Sequence, residues 1–198
     1  MDSRLISRLC VFCGSNHGRR PEFPAAAAAL GALLAAEGIT LVYGGGRVGL
    51  MGVLADAVLA DDGEVIGVIP HGLNTKELAH DGVTEMHRVD SMHERKALMA
   101  DLADAFVALP GGLGTLEESF EVVTWAQLGI HRKPCGLLNI AGYFDTLSAF
   151  LDHAVDERFI KPEHRELILV DSDPRRLLER MRSYTPRAPT RWIRREEL

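Results

Sequence analysis

The chain has little cysteine and no long apolar run, and each shortage excludes a class of protein. Three cysteines among 198 residues are too few for a disulfide framework, which favours a reducing compartment and predicts a cytoplasmic protein. Arg4 and Arg8 interrupt the first apolar residues, so no signal peptide is predicted. No run approaches the roughly 18 apolar residues of a membrane span. We therefore expect no membrane partner.

Positive charge is also scarce. The formal net charge is −6, and a general nucleic-acid binder needs a basic footprint, so no nucleic-acid partner is expected. We expect one domain over residues 1–183 and an arginine- and proline-rich tail over residues 184–198. The tail's arginines predict a solvated segment or a subunit contact more readily than a nucleic-acid arm; they are Arg187, Arg191, Arg194 and Arg195.

Several catalytic signatures are missing as well. The eight histidines show no H-E-x-x-H spacing, and no metal is predicted. Cys10 and Cys13 form a C-x-x-C pair, but in a strand these positions face opposite sides and cannot share a metal. There is no Walker sequence, no G-x-S-x-G elbow, and no lysine in an obvious pyridoxal-phosphate setting. These absences exclude the commonest metal and serine hydrolases.

Short apolar runs alternate with helical segments along the whole chain. Such alternation indicates a parallel sheet with helices on both faces, so the predicted fold is a Rossmann-like, doubly wound α/β domain. The predicted strands are Leu5–Phe12, Thr40–Tyr43, Glu64–Ile69, Gly82–Val89, Ala105–Leu109, Cys135–Asn139 and, at an edge, Leu167–Val170. The predicted helices are Glu22–Glu37, Leu50–Asp62, Met92–Ala103, Thr115–Leu128, Tyr143–Glu157 and Pro174–Arg182.

The most informative segment is Pro110–Glu118, which follows an apolar strand. Its glycines leave backbone N–H groups free to meet an anion, and the helix that begins there adds a partial positive charge. Glu117 and Glu118 lie within about one helical turn of that point. The segment predicts a phosphate site with two carboxylates beside it.

Two further glycine turns are expected beside this segment, because ligands bind at the carboxyl ends of parallel strands. One contains Gly14 and Ser15, the other Gly45 and Gly46, and all four are predicted to contact the ligand. Residues 44–49 match the dinucleotide fingerprint, but no acidic residue follows the next strand, which argues against NAD. A mononucleotide or sugar phosphate fits better; tight helix–strand packing is the alternative.

Two positive charges follow the predicted helix start at Ser91. Ser91 and Glu94 fit a capping box, which places Arg95 and Lys96 in the first turns of the helix. Cations there oppose the helix dipole, so something anionic should compensate them. A nucleotide is one candidate and a surface ion pair the other.

Glu118 has two possible roles. Thr115 and Glu118 also fit a capping box, in which the carboxylate accepts a backbone N–H. Its possible chemistry is cleavage of an N-glycosidic bond, where a carboxylate stabilises an oxocarbenium-like state and helps to activate water. The two roles are compatible.

Taken together, these motifs resemble the Lonely Guy family of cytokinin riboside 5′-monophosphate phosphoribohydrolases. The resemblance covers about residues 5–180, and several separated motifs in the right order make it specific. The matching segments are Val11–Ser15, Tyr43–Gly46, Gly49–Gly52, Met92–Lys96, Pro110–Glu118 and Thr124–His131. Many relatives carry the label lysine decarboxylase, which the missing pyridoxal-phosphate lysine argues against.

The resemblance implies hydrolysis of an N6-substituted AMP, or AMP itself, to the free base and ribose 5-phosphate, without an added cofactor. It implies a catalytic pair, Arg95 and Glu118, in which Arg95 either orients the sugar or stabilises developing charge. Gly112, Gly114 and Thr115 would hold the phosphate. The implied nucleotide contacts are Glu77, Lys96, Gly111, Gly112, Leu113, Gly114, Thr115, Leu116, Glu117 and Thr124.

The resemblance also implies a homodimer with its active sites near the subunit interface. Two alternatives stay open. One is a non-catalytic nucleotide or molybdenum-cofactor carrier of the same fold, which needs the glycine turns but not Arg95 or Glu118. The other is a hydrolase for a different nucleoside monophosphate.

Overall fold

A seven-stranded sheet forms the centre of the structure, a computed structural model that describes residues 5–73 and 78–185. The strands are β1 (Arg8–Phe12), β2 (Thr40–Tyr43), β3 (Val65–Pro70), β4 (Glu85–Val89), β5 (Ala105–Ala108), β6 (Cys135–Leu138) and β7 (Ile168–Asp171). Their order across the sheet is β4-β3-β2-β1-β5-β6-β7, and every neighbouring pair is parallel. The predicted fold class is confirmed, with β7 at one edge as expected.

Helices connect the strands and cover both faces of the sheet. They are α1 (Glu22–Ala36), α2 (Gly49–Ala60), α3 (Met92–Leu102), α4 (Leu113–Gln127), α5 (Asp145–Asp156), α6 (Pro162–Arg165) and α7 (Pro174–Arg182). Two 3-10 turns lie at His71–Leu73 and Ile140–Gly142. Among the described residues, no helix is long and apolar enough to cross a membrane.

The predicted cap at Ser91 is confirmed. The Ser91 Oγ accepts a hydrogen bond from the N–H of Glu94 at 3.1 Å, and the Glu94 carboxylate reaches back to the N–H of Asp90 at 2.9 Å. Helix α7 begins in the same way, since Asp173 accepts the N–H of Arg176 at 2.8 Å. Side chains thus satisfy N–H groups that the first turn of a helix leaves unpaired.

Two strand starts and one short helix differ from the prediction for identifiable reasons. Strand β1 begins at Arg8 because the N–H groups of Ser7 and Arg8 donate to the carboxylate of Asp104. Strand β4 begins at Glu85 because, just before it, the Thr84 hydroxyl replaces a backbone acceptor for the N–H of Val65. Helix α6 was not predicted, since its four residues are too few to show a period.

The sheet separates two apolar layers, and the two cysteines of the C-x-x-C sequence lie in different layers. Cys10 packs in the layer that contains Met99 of α3 and Val122 of α4. Cys13 packs in the opposite layer, with Leu30 of α1. The prediction that they face opposite sides is confirmed. Within the described residues, no group of three or more His, Cys, Asp or Glu side chains is placed to hold a metal ion.

The strand order changes direction at β1, and this positions the site. The chain runs outward from β1 through β2 and β3 to β4, and then returns to β5 on the other side of β1. In sheets of this kind a crevice forms where the order reverses, outside the carboxyl ends of the strands. In this sheet, the crevice lies between the ends of β1 and β5.

Candidate active site at the ends of β1 and β5

A buried ion pair joins the two residues that were predicted to form the catalytic pair. Arg95 Nη1 lies 2.8 Å from Glu118 Oε1, and both side chains are 11% exposed. Arg95 comes from the first turns of α3, whereas Glu118 comes from α4, 23 residues further along the chain. The fold therefore brings the two predicted residues into direct contact.

The guanidinium of Arg95 is held on three sides. Its Nε donates to the carbonyl oxygen of Val68, within β3, at 3.1 Å, while Nη1 bonds Glu118. Its Nη2 occupies the space where a Cβ on Gly44 would lie. A planar fork with several donors can satisfy such a site, and a lysine cannot. The orientation of Arg95 is therefore fixed before any substrate arrives.

Burial changes the protonation of Glu118. Desolvation raises the pKa of the carboxyl above its ordinary value, and the nearby Glu117 adds to the rise. The positive charge of Arg95 stabilises the carboxylate and so lowers this pKa, which offsets part of the effect of burial. A carboxylate with a raised pKa is a better proton acceptor than an exposed one, which suits it to general base chemistry.

Lys96 sits in a cluster of carboxylates rather than alone. Its Nζ bonds Glu117 at 2.5 Å and Glu121 at 3.0 Å. Burial alone would lower the pKa of Lys96, but these two hydrogen bonds raise it above its ordinary value. The anionic partners expected for Arg95 and Lys96 are thus glutamates of α4.

The glycine turn before α4 leaves an open space at the helix N-terminus. Helix α4 begins at Leu113, two residues before the predicted start, and its N-cap is Gly112 without a side-chain cap. A Cβ on Gly112 or on Gly114 would meet no atom within 4 Å in the part of the chain that the structure describes. The unpaired N–H groups of the first turn thus border room for an anion.

The predicted capping box at Thr115 is wrong. Thr115 lies inside the first turn, where its buried side chain fills the space beside Gly111. Glu118 bonds Arg95 and does not cap the helix. The physical reason is the earlier start of α4: glycine in extended conformation at position 112 already serves as the N-cap.

The three glycine turns meet as predicted. The N–H of Gly14 donates to the carbonyl oxygen of Pro110 at 3.0 Å, and the carbonyl oxygen of Gly14 accepts the N–H of Leu50 at 3.0 Å. Ser15 is exposed at the rim of this meeting point. A cavity of about 220 Å³ opens there, with residues 14–18 on one wall and residues 110–112 on another.

Gly45 and Gly46 pack against side chains of the protein. A Cβ on Gly45 would lie 3.1 Å from the sulfur of Met86, and one on Gly46 would lie 2.9 Å from Met51. Gly45 also has a φ of +72°, which favours glycine. These contacts match the packing alternative; ligand contact by the two glycines stays a prediction.

The remaining predicted contacts are scattered. Leu113 is exposed at the mouth of the turn, and Leu116 is half-buried one turn further along α4. Thr124 is exposed six residues beyond Glu118, about 9 Å along the helix axis, and its hydroxyl bonds the carbonyl oxygen of Phe120. Glu77 and the tail arginines lie outside the described residues.

Two site residues escaped the sequence analysis as functional positions. Gly44 was noted as part of a glycine turn, but nothing local shows that Arg95 needs its missing side chain. Tyr143 lines the cavity, and its hydroxyl bonds the carbonyl oxygen of Gly111 at 2.5 Å. Only the folded chain brings Tyr143 to a residue 32 positions away.

Comparisons with known proteins agree on one family. A family model described as possible lysine decarboxylase matches residues 51–181. A probable cytokinin riboside 5′-monophosphate phosphoribohydrolase of Oryza sativa subsp. japonica is 52% identical over 180 residues, covering 91% of this chain and 72% of the relative. A cytokinin riboside 5′-monophosphate phosphoribohydrolase of Arabidopsis thaliana is 51% identical over 181 residues, covering 91% and 83%.

Solved structures share the fold at low sequence identity. The molybdenum cofactor binding protein from Rippkaea orientalis has a TM-score of 0.67 at 23% identity, over 91% of this chain and 98% of that one. The Moco carrier protein from Chlamydomonas reinhardtii has a TM-score of 0.65 at 22% identity, over 86% and 96%. Likeness at this level shows a common architecture.

Proposed function

Because the chain belongs to the cytokinin riboside 5′-monophosphate phosphoribohydrolase family, we infer that it hydrolyses the N-glycosidic bond of these nucleotides. The products are the free base and ribose 5-phosphate. The observation that carries this inference is the buried contact between Arg95 and Glu118, beside the open glycine turn before α4. We extend the substrate range to AMP, which has the same ribose phosphate.

In the proposed reaction the bond between C1′ and the base nitrogen breaks with its electron pair leaving on the base. Glu118 lies near the ribose, where its negative charge stabilises the oxocarbenium-like state. It also takes a proton from the attacking water, whose oxygen bonds C1′, and the departing base takes up a proton from the solvent. Glu118 then returns its proton to the solvent, so one water is consumed in each turnover. Arg95 keeps the carboxylate in place and balances its charge before the sugar becomes positive.

The phosphate anchors the substrate in this proposal. It binds the backbone N–H groups of Gly112 and Gly114 and the N–H and hydroxyl of Thr115, at the positive end of α4. A bound phosphate fixes the sugar relative to Glu118. The translational and rotational entropy that the reaction would otherwise lose in the chemical step is then already lost when the substrate binds. The openness of the space beside Gly112 and Gly114 supports this position.

The test is release of base from two nucleotides. Purified protein is incubated with AMP and with isopentenyladenosine monophosphate, and free base is measured by chromatography beside a Glu118→Gln variant. We expect the variant to lose about 10²-fold or more of kcat, since general base catalysis contributes that much. If neither nucleotide yields base above the Glu118→Gln control, the enzymatic proposal fails.

A carrier protein is the second candidate, favoured only by the shared fold of cofactor-binding structures. A carrier requires the glycine turns but gains nothing from a buried pair such as Arg95 and Glu118. It predicts tight nucleotide binding, no turnover, and unchanged affinity in Glu118→Gln. Binding and turnover measured on the same preparation separate the two functions.

We also propose that the protein is a cytoplasmic homodimer. The three cysteines are free and buried, as expected in a reducing compartment. In a dimer, α4 of one protomer could supply residues to the active site of its partner. Thr124 is one such residue, since it is exposed and lies away from Glu118 of its own protomer. Light scattering during size exclusion should give about twice the monomer mass of 21.7 kDa; the monomer mass would contradict the dimer.

A further inference from the structure

We propose that Tyr143 is a positioning residue that orients the peptide between Gly111 and Gly112 for phosphate binding. The inference rests on the proposed function and adds to it a residue outside the glycine motif. Tyr143 lies between β6 and α5, and its hydroxyl donates to the carbonyl oxygen of Gly111 at 2.5 Å. No other site residue described above acts on this peptide.

The hydrogen bond fixes the direction of an N–H group. A peptide bond is planar, and the described residues contain no cis peptide, so the C=O of Gly111 and the N–H of Gly112 point in opposite directions. Tyr143 holds the carbonyl on its own side, and the N–H of Gly112 therefore points away from Tyr143. A flip of this peptide would turn a carbonyl oxygen toward the anion and repel it.

Glycine makes such a flip easy, which is why a restraint matters here. Thr115 packs closely beside Gly111, but among the described residues nothing lies within 4 Å of a Cβ built on Gly112, so packing leaves the Gly112 end of the turn unrestricted. Glycine also populates more backbone conformations than other residues. Without a restraint, the backbone at Gly112 would lose conformational entropy each time the turn bound phosphate. The hydroxyl of Tyr143 removes part of that loss in advance.

The turn that carries Tyr143 is itself held in a strained conformation. Ala141 has φ +50° and ψ +31°, a left-handed conformation that is unfavourable for a residue with a Cβ. Arg20 Nη1 donates to the carbonyl oxygen of Ala141 at 3.0 Å, and Asn139 Oδ1 accepts the N–H of Phe144 at 2.7 Å. Strain that persists under such restraints is typical of functional positions.

The ring of Tyr143 is also restrained. It packs edge-to-face on Phe23 with centroids 5.7 Å apart, and on Phe144 with centroids 5.0 Å apart. These contacts do not need the hydroxyl, so Tyr143→Phe should keep the ring in place. The variant then removes the hydrogen bond to Gly111 and leaves the packing unchanged.

The experiment measures how Tyr143→Phe divides its effect between KM and kcat. We expect the KM for AMP to rise about three- to tenfold, because the loss of one hydrogen bond weakens binding by about that factor. The inhibition constant of inorganic phosphate, measured in competition with AMP, should rise by the same factor. The kcat should stay within twofold of the wild type, because Arg95 and Glu118 are unchanged.

Two further variants make the result specific. Tyr43→Phe is the matched control, since the buried hydroxyl of Tyr43 has no hydrogen-bond partner among the described residues, and we expect unchanged constants. Arg20→Met keeps Tyr143 but releases its turn, and should raise the KM in the same direction by a smaller factor.

The proposal fails if Tyr143→Phe leaves both the KM and the phosphate inhibition constant within twofold of the wild type. It also fails if kcat falls while the KM is unchanged, since that pattern places Tyr143 in the chemical step or in the stability of the fold. Wild-type protein that releases no base contradicts the proposed function instead. The two failures are therefore distinguishable.

Discussion

The Nη2 atom of Arg95 fills the space beside Gly44 that a Cβ would otherwise occupy. This relationship connects the second glycine turn to the ion pair between Arg95 and Glu118. The turn follows β2, yet its contribution to the site is the room it leaves for a side chain from α3. Gly44 is therefore needed for the position of the guanidinium.

Gly44→Ala should reduce activity much more than stability. The Cβ would overlap Nη2, the far end of a side chain rather than backbone, so the guanidinium and not the main chain must shift. Arg95 would then be misplaced relative to Glu118, and a displacement near 1 Å can cost about 10²-fold in rate. We expect kcat/KM to fall at least about tenfold.

Gly72→Ala is the matched control for this prediction. A Cβ at Gly72 would meet no atom of residues 5–73 or 78–185 within 4 Å, so the same substitution there should leave base release unchanged. Thermal unfolding of both variants checks that the folds are intact. Equal activity of Gly44→Ala and wild type would show that Arg95 does not need its observed position.

Arg95→Lys tests whether shape or charge matters at this position. A lysine keeps the positive charge but cannot bond the Val68 carbonyl and Glu118 together as the guanidinium does. We expect kcat to fall about tenfold to a hundredfold while the KM changes little.

Arg88→Lys makes the same substitution at an exposed position of β4 and should stay within twofold in both constants. Retention of the wild-type kcat in Arg95→Lys would mean that a point charge is sufficient. The planar fork would then have no special role in holding Glu118.

The fold could be predicted from the sequence because each strand is a short apolar run bounded by turn residues. β2 was predicted at its observed bounds, and α1, which Gly38 closes with a φ of +64°, ends within one residue of its prediction. The errors lie where a side chain replaces backbone pairing, as Thr84 does before β4. Such substitutions depend on neighbours that a linear pattern does not contain.

The sequence predicts candidate site residues but not their arrangement. Glycine spacing and helix starts singled out Arg95 and Glu118 as candidates, and the family resemblance implied that they are a catalytic pair. Their contact depends on how α3 and α4 pack on the sheet. The capping box at Thr115 was wrong because α4 begins at Leu113, and its N-cap, Gly112, has no side chain that could signal a cap. Tyr143 follows a strained turn at Ala141, which no local residue preference indicates.

The pH dependence of base release should report the raised pKa of Glu118. Burial, and secondarily Glu117, raise it above the ordinary value of 4.5. The active form is the carboxylate, so kcat/KM should fall as the pH drops through this raised pKa, placing the acid limb above pH 4.5.

Glu117→Gln provides the check on this assignment. It removes a negative charge that raises the pKa of Glu118, so the acid limb should move to lower pH. An acid limb that stays in place would assign the titration to another group. A limb at or below pH 4.5 in the wild type would contradict the effect of burial.

Asp171, at the end of β7, should make stability depend on acid pH. Its carboxylate accepts hydrogen bonds from Arg176 at 2.8 Å and from the N–H of Asp173 at 3.0 Å, which hold its pKa well below the ordinary 3.8. A lowered pKa in the folded state adds stability that is fully present above pH 3.8 and is lost as the pH falls below it.

Asp171→Asn should therefore lower the melting temperature at pH 7 by about 3 °C or more, and the difference from wild type should shrink progressively below pH 3.8. The matched control is Asp152→Asn, because Asp152 also pairs with an arginine, Arg165, but is 63% exposed. An exposed pair contributes little, so this variant should shift the melting temperature by less. A difference for Asp171→Asn that is equally large at pH 7 and pH 3 would show that shape, rather than charge, stabilises the end of β7.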